Sequence, residues 1–188
     1  MIKNYFRSFK IFTEKEIEDF LPFFEIRKLR KNDYFVQEGE WCKEIAFIES
    51  GIFRSYYISN EGKDITYCFR FPNELIASYS SFISGKASVE NMQAISEASL
   101  LVLKKNKIEE LVNKNANWIL FLKLIAEQEY LELEKRFFQL QRDSATERYD
   151  FLLKNQPGYV REIPLQYLAS YLGITQRHLS RIRKKTSF

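Results

Sequence analysis

Gln176, Arg177, Ser180, Arg181 and Lys184 are spaced so that a helix would gather them on one side. At about 100° per residue they cluster roughly 160° away from Leu179 and Ile182. Side chains of this kind read nucleic acid: arginine pairs bidentately with guanine, glutamine pairs with adenine, and lysine meets phosphate. A solvated amphipathic helix with a basic C-terminus has a similar pattern. The location of the charge separates the two readings. Residues 163–188 carry five Lys or Arg and no Asp or Glu, a net of +5, while the whole chain is +4, leaving −1 for the other 162 residues. Positive charge concentrated on one small unit is the footprint of a nucleic-acid face.

Such a stripe needs a frame that holds its helix. Thr175 is a good N-cap, its hydroxyl placed to accept an otherwise unpaired N–H. Before it, Leu165, Leu168, Ala169 and Leu172 follow helical spacing and form one apolar face, with Pro164 suited to the first turn. Ala169 is small where two helices must approach closely. Gly173 allows the left-handed turn between them. Helix, glycine turn and basic-faced helix together make a helix-turn-helix, the unit that places a recognition helix in the major groove.

The rest of the chain supplies a sizeable core. It has 188 residues, 45% of them apolar and 29% charged, the balance of a globular protein of one or two domains. The longest apolar run, Trp118 to Leu122, is far short of a membrane span. The N-terminal Met-Ile-Lys-Asn-Tyr-Phe-Arg lacks the apolar core of a signal peptide, so a cytoplasmic location is expected. Thr13 and Glu16 make a capping box for a short helix ending near Pro22. Short β-type runs follow at Tyr34–Val36, Ile45–Glu49, Phe53–Ile58, Ile65–Phe71, Val89–Ile95 and Leu100–Leu103, divided by turn signals. They predict a small β-barrel or jelly roll.

A long helix is expected next, capped by Asn106 and running to about residue 143. Ile119, Leu122, Ala126, Tyr130, Leu133, Phe137 and Leu140 step along it by threes and fours, a coiled-coil-like seam. Leu120, Leu124, Leu131 and Phe138 add a second stripe. One stripe can face the β-domain and the other a second copy of the chain, which makes the seam a dimer interface, since paired recognition units read paired half-sites.

Taken in order, β-roll, long helix and C-terminal helix-turn-helix resemble the Crp/Fnr family of bacterial transcription regulators. The most specific match runs from Ser144 to Lys185: Ser-Ala-Thr-Glu-Arg-Tyr, then Pro157, then Ala169 to Ile174 and Leu179 to Ile182. Gly39 and Gly51 sit where the family's β-roll turns recur. The resemblance implies an α+β chain with a jelly-roll, cyclic-nucleotide-binding-like domain over 1–105, a dimerisation helix over 106–143 and an all-α helix-turn-helix domain over 144–188. It implies duplex DNA, a second copy, RNA polymerase and a small-molecule effector as partners. Gln176, Arg177 and Arg181 fall at the family's base-reading positions, and Thr175 and Ser180 at phosphate contacts. Many relatives continue into a β-wing after the position of Lys185.

The resemblance breaks in the phosphate-binding segment of the β-roll. Family members that bind cyclic nucleotides carry a Gly-Glu pair and an Arg followed by a hydroxyl residue. Here Ser78 stands in place of the Glu, and Ser88-Val89 in place of the Arg and its neighbour. Without a fixed guanidinium a buried phosphate is costly, and Lys86 is a poor substitute. Cyclic AMP and cyclic GMP are therefore not expected as ligands. Ser78, Tyr79, Ser80 and Ser88 either line a pocket for an uncharged ligand or cap an empty barrel.

Cofactor and enzyme chemistry have few candidates. An iron–sulfur cluster needs about four cysteines, whereas Cys42 and Cys68 stand alone and read as small core residues or a redox pair. Histidine-ligated haem and cupin-type metal chemistry lack ligands, because His178 in the basic helix is the only histidine. No serine or cysteine of the first domain has a histidine base. No catalytic residue, metal or cofactor is expected. The competing reading is an RNA-binding or protein-interaction module using the basic helix, though RNA modules more often present aromatics on a sheet.

Overall fold

A computed structural model describes residues 1–186. Ser187 and Phe188, which end the helix-turn-helix segment, lie outside the described residues. The chain divides into two compact units: residues 1–57 with 69–126, and residues 58–68 with those from 127 on.

The first unit opens with α1 (Ile2–Ser8) and α2 (Glu14–Phe20). The capping box expected at Thr13 is present. Thr13 Oγ1 accepts the Glu16 N–H at 3.2 Å, and the Glu16 carboxylate accepts the Thr13 N–H at 2.7 Å. That backbone bond is the main reason the Glu16 carboxyl is held below the usual range. One 3-10 turn at Leu21–Phe23 follows, with Pro22 at its start.

The strands are β1 (Glu25–Leu29), β2 (Tyr34–Val36), β3 (Glu44–Ser50), β4 (Phe53–Ile58), β5 (Asp64–Arg70), β6 (Leu75–Ile76), β7 (Asn91–Ala94) and β8 (Ala98–Lys104), with α3 (Tyr79–Ser84) between β6 and β7. One antiparallel sheet has the order β1-β8-β3-β6, with Phe47 opposite Leu101. In the other, β7 lies between β2 and β4, with Arg54 opposite Gln93. The run Ile45-Ala46-Phe47-Ile48 is buried throughout, as expected of a strand covered on both faces. Gly51 closes the β3–β4 turn at φ +92°, where a Cβ would lie 2.5 Å from Ala98 Cβ and 2.6 Å from the Glu97 carbonyl oxygen.

The β-runs from Tyr34 to Leu103 fall on β2, β3, β4, β5, β7 and β8, whereas α1, β1, β6 and α3 were not expected from sequence. The long helix needs correction. It is two helices, α4 (Lys105–Lys114) and α5 (Asn117–Arg142). Lys104, not Asn106, is the N-cap of α4, and Asn106 Oδ1 accepts the adjacent Lys107 N–H at 2.9 Å. The break occurs because Asn115 is extended and its side chain has other partners. Its Oδ1 accepts the Asn117 N–H at 2.9 Å, and its Nδ2 donates to Glu16 Oε1, which Asn117 Nδ2 also reaches at 3.1 Å. Neither expected stripe supplies the buried face of α5. Trp118, Phe121 and Ile125 do. Trp118 lies 4.9 Å from Phe20 between ring centres, and Phe6 lies 5.2 Å from Phe121, in an aromatic cluster that joins α1, α2 and α5.

The second unit continues with α6 (Ala145–Asn155), α7 (Pro157–Glu162), α8 (Leu165–Tyr171) and α9 (Gln176–Thr186).

Gly51→Ala combines a left-handed backbone with an overfilled turn, so urea unfolding should show a loss of at least about 2 kcal/mol. The lowered Glu16 pKa makes its stabilisation fully present at neutral pH. That stabilisation is lost as pH falls below the ordinary glutamate value of about 4.3 toward the depressed folded one. Melting temperature followed from pH 6 to pH 3 should fall more steeply for the wild type than for Glu16→Gln.

Candidate nucleic-acid interface

The unit that presents the basic stripe starts at a second capping box. Ser144 Oγ accepts the Glu147 N–H at 3.3 Å, and the Glu147 carboxylate accepts the Ser144 N–H at 2.7 Å, which holds that carboxyl below its usual range. Pro164 stands one residue outside α8, as its N-cap, instead of within the first turn. Leu168, Ala169 and Leu172 are buried as their spacing predicts, Leu165 is half-buried, and Tyr171 joins the buried set.

The turn ends α8 in a defined way. Gly173 adopts φ +69°, its N–H reaches the Ser170 carbonyl at 2.9 Å, and the Ile174 N–H reaches back to Ala169 at 3.0 Å. This double bond pattern is a Schellman motif, which a left-handed glycine permits. Thr175 then caps α9, its Oγ1 accepting the His178 N–H at 3.2 Å.

α9 divides into the two faces read from sequence. Leu179 is 0% exposed and Ile182 4%. Gln176, Arg177, Arg181 and Lys184 are exposed, and Ser180 is half-buried among them. Thr175, Arg177, His178, Ser180, Arg181 and Lys184 frame an open depression of about 400 Å³. Arg183 belongs to neither face: its Nη2 donates to the Val160 carbonyl of α7 at 3.2 Å, tying α9 to its neighbour.

Several residues that hold this unit together escaped the sequence reading. Ser170 Oγ accepts the Thr66 N–H at 2.9 Å and lies 3.1 Å from the Asp64 carbonyl, to which it donates, so β5 is tied to α8. Arg136 of α5 donates to the Tyr171 carbonyl and stacks 3.8 Å over the Tyr171 ring. Burial pushes the Arg136 guanidinium down and the Tyr171 phenol up. Arg148 of α6 reaches the Leu172 carbonyl at 2.8 Å. Their partners are chiefly backbone groups far along the chain, and no local pattern announces them.

On the expected dimer seam, Ile119, Tyr130, Leu133 and Phe137 are each more than half exposed, while Leu122 and Ala126 are half-buried.

In the first unit, the four residues of the candidate ligand pocket fall in different environments. Ser78 and Ser88 are buried with their hydroxyl oxygens 3.0 Å apart, Tyr79 is half-buried and Ser80 exposed. Ser78 donates to Glu90 Oε1 at 2.8 Å, and Ser88 donates to the Glu90 carbonyl at 2.8 Å. Glu90, 6% exposed, was not singled out from sequence. An open depression of about 540 Å³ elsewhere on this unit is lined by Trp41, Lys43, Ser81 and Lys105 among others, and by none of those four residues. Cys42 is buried, its thiol donates to the Glu44 carbonyl at 3.2 Å, and burial pushes its pKa up; Cys68 is half-buried, and both are free thiols. Among the described residues no group of three or more His, Cys, Asp or Glu is placed to hold a metal ion, and no helix is long and apolar enough to cross a membrane.

Comparison with known proteins bears on the β-domain and on the overall fold. Residues 26–115 match the family model of the cyclic nucleotide-binding domain. The anaerobic regulatory protein of Bacillus subtilis is 26% identical over 98 residues, which is 52% of this chain and 41% of that protein, so the match spans less than half of the relative. The structure of FixK2 from Bradyrhizobium japonicum superposes with a TM-score of 0.75 at 21% identity, covering 86% of this chain and 83% of that one. A putative transcriptional regulator of the Crp/Fnr family from Eubacterium rectale superposes with a TM-score of 0.74 at 16% identity, covering 98% and 88%. Residues 26–115 are thus similar to the cyclic nucleotide-binding domain, on a chain whose fold is shared with the solved Crp/Fnr-family structure.

Proposed function

We propose that this chain is a cytoplasmic, homodimeric transcription regulator that binds duplex DNA in a sequence-specific way and does not respond to cyclic nucleotides. The observation that carries the reading is α9: a helix anchored by Leu179 and Ile182 that turns Gln176, Arg177, Arg181 and Lys184 to solvent, directly after a glycine-closed turn. Arg177, Arg181 and Gln176 would meet base edges, and Thr175, Ser180 and Lys184 the phosphates. The exposed Tyr130, Leu133 and Phe137 on α5 support pairing with a second copy, because large apolar side chains grouped on one helix call for a cover. Two recognition helices about 34 Å apart would read half-sites one duplex turn apart.

The buried carboxylate of Glu90, beside Ser78 and Ser88, supports the reading of the β-roll. The Ser78 and Ser88 hydroxyls that a ligand would have to recruit are already bonded to each other and to Glu90, and neither offers the fixed guanidinium that a buried phosphate needs. RNA polymerase and an uncharged effector remain the further partners this reading implies.

Selection from a random duplex library at physiological salt should return a palindrome with half-site centres one turn apart. On that site, Arg177→Ala and Arg181→Ala should each cost about 1–3 kcal/mol and relax specificity. Unchanged binding by the double variant, or equal affinity for structured RNA, would sink the reading. Cyclic AMP should leave the melting temperature where it is, whereas a dose-dependent rise would show that the β-roll takes the nucleotide.

A further inference from the structure

We propose that Arg136 and Arg148 are positioning residues for DNA recognition: their guanidiniums close the carbonyl end of α8 and so make the direction of α9 follow α5. The proposal rests on the reading that α9 enters duplex DNA.

A helix leaves its last four carbonyls without intrahelical partners. In α8 these are Ala169, Ser170, Tyr171 and Leu172. The Schellman turn takes the first two, through the N–H groups of Ile174 and Gly173. The last two go to the arginines, Tyr171 to Arg136 and Leu172 to Arg148 at 2.8 Å. All four are thus accounted for, half of them by side chains from α5 and α6. Arg148 also donates to the Asp143 carbonyl, one residue past the end of α5. The carbonyl end of α8 is therefore fastened to the α5–α6 junction at two adjacent points.

Only arginine suits this task. Its planar fork donates to a carbonyl while its face lies on a ring, as Arg136 does on Tyr171, and a lysine ammonium has no such plane. Two cations side by side are tolerated because the C-terminal end of a helix carries partial negative charge. α9 begins at Gln176, after only Gly173, Ile174 and Thr175, each of which makes a backbone or cap hydrogen bond of the turn. Rotation of the α8 end must then carry α9 with it. Arg136 itself lies on α5 between Leu133 and Phe137 of the exposed seam, so a second copy seated there would fix the element from which both recognition helices are aimed.

The test uses the full chain and three duplexes: the selected palindrome, the same site with one half scrambled, and the palindrome with one base pair added between the halves. Arg136→Met keeps the side-chain stem and loses the fork. It should lose about tenfold or more in affinity on the palindrome while staying within about twofold on the single half-site, because a misdirected pair forfeits its avidity. The penalty for the added base pair should shrink. Arg136→Lys should resemble Met instead of the wild type, and it carries the test if circular dichroism shows the Met variant unfolded. Equal losses on palindrome and half-site would reduce Arg136 to a general stabiliser and overturn the proposal, as would unchanged affinity on both. Failure of the unmutated protein to prefer any duplex sequence would instead overturn the DNA-binding reading.

Discussion

An eleven-residue helix rich in arginine and lysine does not hold itself together in water. Isolated helices shorter than about 12–15 residues are marginal even with favourable composition. What secures α9 is the burial of Leu179 and Ile182 in the second unit, where Leu168, Ala169 and Leu172 are also buried. Each such leucine or isoleucine contributes about 1.5–3 kcal/mol when fully buried. The polar chemistry on the opposite face depends on this contact, since a helix that rolled or frayed would no longer gather Gln176, Arg177 and Arg181. The same requirement explains the small residue at 169 and the left-handed glycine at 173, which together let two short helices meet.

α5 meets two different environments along one helix. Its first turns bury Trp118, Phe121 and Ile125 in the aromatic cluster of the first unit, whereas Tyr130, Leu133 and Phe137 further on are open to solvent. Buried early and exposed late, one helix carries both an internal anchor and an uncovered apolar surface. The hairpin segment 58–68 belongs to the second unit, where Ser170 bonds the backbone of Asp64 and Thr66. A hydroxyl serves there because a strand backbone offers an N–H and a C=O on the same side at alternate residues, and one serine oxygen can meet both.

In the β-roll, Ser78 and Ser88 bond to groups of their own domain. Ser78 and Ser88 are drawn into a buried network around Glu90, and a network of satisfied groups in low dielectric is costly to disturb.

Local pattern determined a good deal of this protein from sequence alone. The helix-turn-helix is legible because its evidence lies within a dozen neighbouring residues: apolar spacing, a turn glycine, an N-cap and a basic stripe. Both ends of β2 and β4 are legible for a similar reason, as branched and aromatic runs bounded by turn residues. Tertiary structure decided the rest. The division between α4 and α5 turns on Asn115 reaching Glu16, 99 residues away, and a helical apolar period continues through the break without a trace of it. The face that α5 buries was set by the aromatic side chains of α1 and α2. The roles of Ser170, Arg136 and Arg148 come from backbone groups of distant segments, and a backbone carbonyl has no identity in a sequence. Short-range periodicity records which side of an element is apolar; which partner that side or a polar tip will meet is settled only when the chain closes on itself.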